Sequence, residues 1–266
     1  MTPHAAAPCV AALDEPVHLR LGGYSARVGT RCDIKNMAVR LRASAFRNGA
    51  DDCDSFDDAA LHGVVLSENQ TVQVAFRASL LWDEADLDRC YTGQFYDLRP
   101  LHGQKGPFLE LGRVCQAAGP TDVTALQMAW AALGRLVDTY KVQMMMGCSS
   151  LPGADPHLHS AALASLRANH MGPVSLAPHR KSPDAFDLPD ACPDPAKVPH
   201  LLRSYLGMGG WVSDHAVQDI QLDRVHVFTG LMIDAIPQAR KARLRAMAQS
   251  AGTDSPNPLD LARAAP

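Results

Sequence analysis

Apolar and polar positions alternate over 18–27, the period of a strand with one face buried. The pattern then changes. Asp33 stands at a helix N-cap position ahead of Ile34, Met37, Leu41 and Ala45, whose spacings of 3, 4 and 4 fit one helical face. Segments 63–66 and 71–78 read as two strands joined by a turn at Glu68, Asn69 and Gln70, and Phe108–Gln116 reads as a further strand. Thr121 is placed to cap a helix carrying Leu126, Trp130, Leu133, Val137 and Tyr140. A buried strand over 142–148, a helix over 156–170 and a closing strand over 225–233 complete the order β-α-β-β-β-α-β-α-β. That order predicts an α/β fold on a mixed sheet.

Composition narrows the class without naming it. The chain has 266 residues, 25 basic against 28 acidic, a net charge of -3 and 47% hydrophobic content. This length permits a full core, and the near-neutral balance excludes a nucleic-acid protein that works by bulk charge. No apolar run reaches the roughly 18 residues of a spanning helix, and the first residues lack the pattern of a secretory signal. Seven scattered cysteines without a Cys-x-x-Cys pair argue for reduced thiols in a cytoplasmic protein. Residues 1–16 and 251–266 read as disordered tails around a single domain at 17–250. The proline-rich stretch 173–199 reads as a surface excursion.

Charged residues interrupt apolar elements at several points. Glu110 and Arg113 break the strand Phe108–Gln116, and Gly112 between them is a candidate bulge that would free backbone N–H groups to polarise a carbonyl. An ordinary ion pair is the plain alternative. Arg42 and Phe46 lie four apart on one helix face, Arg77 sits inside a strand-like segment, and Asp52, Asp54, Asp57 and Asp58 crowd one loop. Crowded carboxylates repel unless cations neutralise them.

In order and spacing, Arg42-x-x-x-Phe46, Asp54-x-x-Asp57, Arg77 and Glu110-x-x-Arg113 resemble the signature of acyl-homoserine-lactone synthases. A closer resemblance covers residues 38–219 and is to the hemolysin-like ornithine N-acyltransferases of bacterial ornithine-lipid synthesis. It is carried by Asp52-x-Asp54-x-Phe56-Asp57 with His62, Phe95-Tyr96-Asp97-Leu98, Glu110-Leu111-Gly112-Arg113, Gly147-Cys148-Ser149-Ser150-x-Pro152-Gly153, and Asp214-x-Ala216-Val217-x-Asp219. The resemblance implies a GNAT-like acyltransferase fold, a central mixed β-sheet with splayed strands flanked by helices. It implies transfer of a 3-hydroxyacyl chain from acyl carrier protein to the α-amine of ornithine. No cofactor is then resident, because 4'-phosphopantetheine arrives on the carrier protein.

By the same resemblance Glu110 and Arg113 are the catalytic candidates, Glu110 as base. Arg42, Phe46, Asp54, Asp57, Arg77, Val114 and Ser149 are the substrate-binding candidates, Val114 through its backbone N–H. The chain departs from the family pattern at Ala43, Arg47, Asn48, Ala60, Leu61 and Arg203. Loss of an acidic residue before Gly49 keeps glutamine open as acceptor. A homoserine-lactone-type synthase and a non-catalytic lipid- or carrier-binding module are the remaining alternatives.

The stretch Gln116-Ala117-Ala118-Gly119-Pro120-Thr121 matches a coenzyme-A pyrophosphate loop only in part, since Pro120 has no N–H, and this suits a carrier-protein donor. His157 and His159 have no neighbours in sequence to complete a metal sphere, so no metal is expected. The run Met144-Met145-Met146 reads as strand packing or as the wall of an acyl tunnel. Arg240, Lys241, Arg243 and Arg245 read as a solvated helix face, or as a contact for anionic lipid at the inner membrane or for the acidic carrier protein.

Overall fold

The structure, a computed structural model, describes residues 14–250. Of the tails expected at 1–16 and 251–266, residues 1–13 and 251–266 lie outside them, whereas Asp14 accepts from the Thr30 N–H at 3.0 Å and Glu15 pairs with Arg27 at 2.9 Å. The chain divides into two compact units. Unit one holds residues up to Trp82, Arg113–Lys141 and the end from Lys241, and unit two holds Asp83–Gly112 and Val142–Arg240.

In unit one, β1 (Val17–Leu21) and β2 (Tyr24–Gly29) form a hairpin where one strand over 18–27 was expected. Gly22 and Gly23 both have positive φ, 56° and 81°, and turn the chain inside the alternating run. Helix α1 (Cys32–Phe46) follows, then β3 (Leu61–Leu66) and β4 (Val72–Leu81). The order of neighbours here is β1-β2-β3-β4-β6, where β6 is Phe108–Gln116, all antiparallel where register is defined among β1 to β4. Ile34, Ala38 and Arg42, four apart, form the buried stripe of α1. Ile34 and Ala38 pack with Val64, Leu66, Ala75 and Cys115, flanked by Met37, Leu41 and Ala45.

The Asp33 cap is corrected. Arg31 holds the N-cap position without a side-chain bond, while Asp33 pairs with Arg27 at 2.9 Å and Arg31 at 3.1 Å. The Thr121 cap moves one residue. Asp122 accepts from the Ala125 N–H at 2.9 Å and also from the Tyr24 hydroxyl at 2.8 Å. Helix α3, Val123–Tyr140, packs along β1 to β4.

Unit two holds α2 (Glu84–Arg89), β5 (Tyr96–Asp97), the first part of β6 (Phe108–Gln116) and β7 (Met144–Pro152). After these come α4 (Ser160–Asn169), β8 (His179–Arg180), β9 (Ala185–Asp187), α5 (His200–Leu206), β10 (Trp211–Asp219) and β11 (Arg224–Met232). The last helix, α6, is Gln238–Ser250. Neighbours run β6-β7-β11-β10-β9, with β6 and β7 parallel and the others antiparallel.

The strand expected at 142–148 starts two residues later and runs on to Pro152. The helix expected at 156–170 begins as a 3-10 turn, Pro156–His159, ahead of α4. The proline-rich excursion is not wholly irregular. It supplies β9 to the edge of β10 and β8 as partner to β5.

One face of this sheet is a conventional core. Leu163 and Leu166 of α4 with Leu202 and Leu206 of α5 pack on Leu151, Val212, Ala216, Val225 and Val227. Strand alternation sends Cys148, Ser150, His226 and Phe228 to the other face, since Cys148 pairs with Phe228 and Ser150 with His226. Residues 91–97 cover that face. The Phe95 ring lies 4.7 Å from the His226 ring, and the Tyr96 ring 5.9 Å from that of Phe228.

Candidate functional site

In unit one the charged residues close on one another. Arg42, fully buried, donates from Nε to Asp52 Oδ2 at 2.8 Å, from Nη1 to Asp57 Oδ1 at 2.7 Å and from Nη2 to the Asp52 carbonyl at 2.7 Å. Arg77 donates to Asp54 and, at 3.1 Å, to Asp57. Arg113 reaches Asp54 Oδ2 at 3.1 Å and lies 3.3 Å from Asp52 Oδ2, with its guanidinium 5.9 Å from the centre of the Phe46 ring. Phe56 stacks against Arg77 in the same way, at 5.6 Å.

Three buried guanidiniums therefore face three carboxylates, and a fourth, on the half-buried Arg47, reaches Asp52 Oδ1 at 3.4 Å. Burial alone would raise the Asp57 pKa. The Arg42 hydrogen bond, the Asp54 N–H and the charges of Arg42 and Arg77 outweigh it and hold the carboxyl far below its usual range. Burial likewise works against the Arg42 cation, yet its pairs with Asp57 and Asp52 raise its pKa. His62 sits beneath, its Nε2 at 2.9 Å from the Asp57 carbonyl, and burial lowers its pKa.

Where a bulge was foreseen at Gly112, the unusual backbone falls on the next residue. Arg113 takes the left-handed conformation, φ 52°, a strained choice for a residue with a Cβ. The network that grips its guanidinium on both sides holds that conformation. Val114 follows it, half-buried on β6.

Unit two presents a different arrangement. Glu110, 4% exposed, accepts the Thr92 N–H on Oε1 at 2.7 Å and the Tyr91 N–H on Oε2 at 3.3 Å. Two N–H donors leave lone pairs on the carboxylate oxygens. Parallel pairing of β6 with β7 runs from Phe108↔Met144 to Glu110↔Met146 and stops there. Gly147 comes next, where a Cβ would stand 2.1 Å from the Leu111 carbonyl oxygen, so the approach of the two strands requires glycine.

Beyond it Cys148, Ser149 and Ser150 are half-buried, in contrast to the buried Met144, Met145 and Met146. Cys148 Sγ donates to Thr92 Oγ1 at 3.8 Å. Ser149 pairs with Val227 and so faces the core side, opposite to Cys148.

Of the residues singled out in sequence, Arg42, Phe46, Asp54, Asp57, Arg77 and Arg113 thus meet in one network, to which the structure adds Asp52. Glu110 and Ser149 belong to unit two. The Tyr91 and Thr92 amides, Cys148 and His226 were not singled out as site residues. The first three carry no side-chain pattern of their own, and a histidine within Val-His-Val-Phe reads as core. Among the described residues no three His, Cys, Asp or Glu side chains gather to hold a metal ion, and no helix is long and apolar enough to cross a membrane.

Residues 36–131 match the model of the acetyltransferase (GNAT) domain. The chain is 28% identical over 203 residues to an L-ornithine N(alpha)-acyltransferase of Rhodobacter capsulatus, covering 72% of this chain and 78% of that one. It is 25% identical over 228 residues to an enzyme of the same name from Agrobacterium fabrum, covering 77% and 75%. Among solved structures, an N-acyl amino acid synthase from uncultured soil microbes aligns with TM-score 0.45 at 9% identity, over 81% of this chain and 93% of that one. The AHL synthase LasI aligns with TM-score 0.37 at 14% identity, over 77% and 88%. The resemblance read from the motifs is borne out by the domain match and the relatives, and with it the mixed α/β acyltransferase fold and the assignment of the chain as an acyltransferase enzyme.

Proposed function

We propose that the chain transfers a 3-hydroxyacyl group from acyl carrier protein to the α-amine of ornithine, giving the lyso form of an aminolipid. The reading rests on Glu110. An amino acid is an ammonium ion at neutral pH, and its nitrogen attacks a thioester only after losing a proton. Glu110 takes that proton, directly or through one water. It is a buried carboxylate, fixed by the Thr92 and Tyr91 amides and retaining lone pairs. The amine then adds to the thioester carbonyl, the carbon–sulfur bond breaks, and the pantetheine thiol departs with a proton.

Ornithine as acceptor follows the names of the relatives. A carrier-protein donor is supported by the start of α3. A coenzyme-A pyrophosphate would need free N–H groups there, but Pro120 has none, and the Asp122 carboxylate occupies the N-cap and consumes the Ala125 N–H.

The test is expression in a bacterial host that lacks aminolipids, with new lyso-lipids identified by mass spectrometry. A 3-hydroxyacyl-ornithine is the expected product. A glutamine head group would move the acceptor, an acyl-homoserine lactone would replace the reading, and no product from well-folded protein would overturn it.

A further inference from the structure

A lysine of the proline-rich excursion reaches Glu110 through two peptide groups. Residues 179–182 run alongside residues 93–97, with β8 paired to β5 as Tyr96↔Arg180 and Asp97↔His179. The Ser182 N–H donates to the Phe95 carbonyl at 3.0 Å. Lys181 lies between those two backbone contacts, and its Nζ donates to the Gly93 carbonyl at 2.5 Å.

The contact continues inward along the 3-10 turn Thr92–Gln94. The peptide group that carries the Gly93 carbonyl also carries the Gln94 N–H, which donates to the Tyr91 carbonyl at 3.1 Å. The peptide group of the Tyr91 carbonyl in turn carries the Thr92 N–H, which donates to Glu110 Oε1 at 2.7 Å. Hydrogen bonds through two peptides thus join an ammonium to a carboxylate, and every donor points toward Glu110. A planar peptide polarises as a unit, because a cation on its oxygen draws electrons from its nitrogen and strengthens the N–H as donor. Both ends of the relay are charge-assisted bonds. The turn itself is fixed. Thr92 is fully buried, and a Cβ at Gly93 would stand 2.7 Å from the Leu87 carbonyl oxygen, so that close approach requires glycine.

The other ionisable groups around residues 90–97 do not duplicate this charge. Burial and the neighbouring Glu110 push the Cys90 thiol up, burial pushes the Tyr96 hydroxyl up, and burial brings the His226 imidazole down to about 3, so all three are neutral near pH 7. The Arg99 hydrogen bond lowers Asp97 to about 2, and His179 lies 3.7 Å from the same carboxylate. Arg180 pairs with Asp187, and the Cys148 thiol touches the Thr92 hydroxyl.

We propose that Lys181 is a positioning residue for the transfer step, its charge relayed through the Gly93–Gln94 and Tyr91–Thr92 peptides to keep Glu110 in the carboxylate form that takes the acceptor's proton. The proposal rests on the reading of Glu110 as base. The proton moves from the acceptor ammonium to Glu110, and Lys181 keeps its own.

The experiment has two readouts on the full chain. Infrared difference spectra against Glu110→Gln follow the carboxyl band of Glu110 across pH without any substrate. In Lys181→Met the protonated band should appear at higher pH. Lys181 is exposed and water screens its charge, so the shift is modest, about half a pH unit to one. The second readout is kcat/KM against pH, with 3-hydroxyacyl-loaded acyl carrier protein as donor and ornithine as acceptor. Lys181→Met should be about 3–10-fold slower at a fixed pH on the acid limb and regain the parent rate on the alkaline plateau. Lys181→Arg should keep the parent limb, whereas Lys181→Gln, an N–H donor without charge, should follow Lys181→Met. Added to Glu110→Gln, Lys181→Met should change the rate by less than about 2-fold at any pH. An unmoved carboxyl band, an equal loss at every pH, parent behaviour in Lys181→Gln, or an effect that survives in Glu110→Gln overturns the proposal. Full activity of Glu110→Gln alone would instead remove the base, so the two failures are told apart.

Discussion

The two units bury charge in opposite ways. Around Arg42, four arginines meet three aspartates, and the principal pairs consume each other. Around Glu110 a lone carboxylate is held by backbone amides, and the buried His226 keeps Nε2 without a hydrogen-bond partner. A closed network offers a ligand little, because its donors and acceptors are spent. Its product is geometry, here the left-handed Arg113 within β6. A site with lone pairs left over is costly to fold. The lesson runs against a reading that treats every charge in an apolar element as a substrate contact.

The contrast is sharpest in rate. Glu110→Gln keeps size and one acceptor oxygen but removes the base, so kcat with an amino acid acceptor should fall by about 10²–10⁴-fold. The melting temperature should move far less than in the Arg42 variant below. Steady-state turnover beside a thermal melt measures both, and full activity would remove Glu110 from the reaction.

Arg42→Met tests the other unit. It removes the principal cation from the buried Asp52 and Asp57, leaving them the longer pairs with Arg77, Arg113 and Arg47, and should cost about 3–5 kcal/mol by denaturant unfolding, independent of any donor or acceptor. A loss under 1 kcal/mol would show that the network does not hold unit one together.

Acid should separate the two more gently. His62 and Asp57 both have folded pKa values below their unfolded ones, 6.5 and 3.8. For each, the deprotonated form is the one the fold favours, so stability is complete above the unfolded value and is lost as pH falls through the folded one. Unit one should weaken slightly below pH 6.5 and steeply below 3.8. Amide exchange followed across that range, residue by residue, checks the order, and a flat response between pH 6 and pH 3 would contradict it.

How far the chain could be read in advance follows from the same physics. The helical period of α1 was legible in Ile34, Met37, Leu41 and Ala45, although its fully buried stripe is Ile34, Ala38 and Arg42, and the strand Phe108–Gln116 was legible because apolar residues flank its two charges. The β1–β2 hairpin was not, since its two glycines shift the apolar alternation by one residue, from Val17 and Leu19 to Ala26 and Val28, inside a run that reads as one strand. Strand β10 escaped notice because its register shifts between Val212 and Ala216, where Ser213, Asp214 and His215 break the alternation. The arginines and aspartates were visible as charges out of place, but spacing does not say whether a charge meets a substrate or a neighbour. The contact of the His226 Nδ1 with the Tyr96 hydroxyl joins residues 130 positions apart, and local pattern cannot supply that partner.

Gly147 imposes one more restriction. With the Leu111 oxygen filling the space a methyl group would need, that position is closed to every other amino acid unless the adjoining strand retreats. Descendants of this gene can therefore exchange the thiol that follows far more readily than the glycine before it. In a saturation library selected for folding alone, position 147 should come back nearly unmixed while position 148 diversifies.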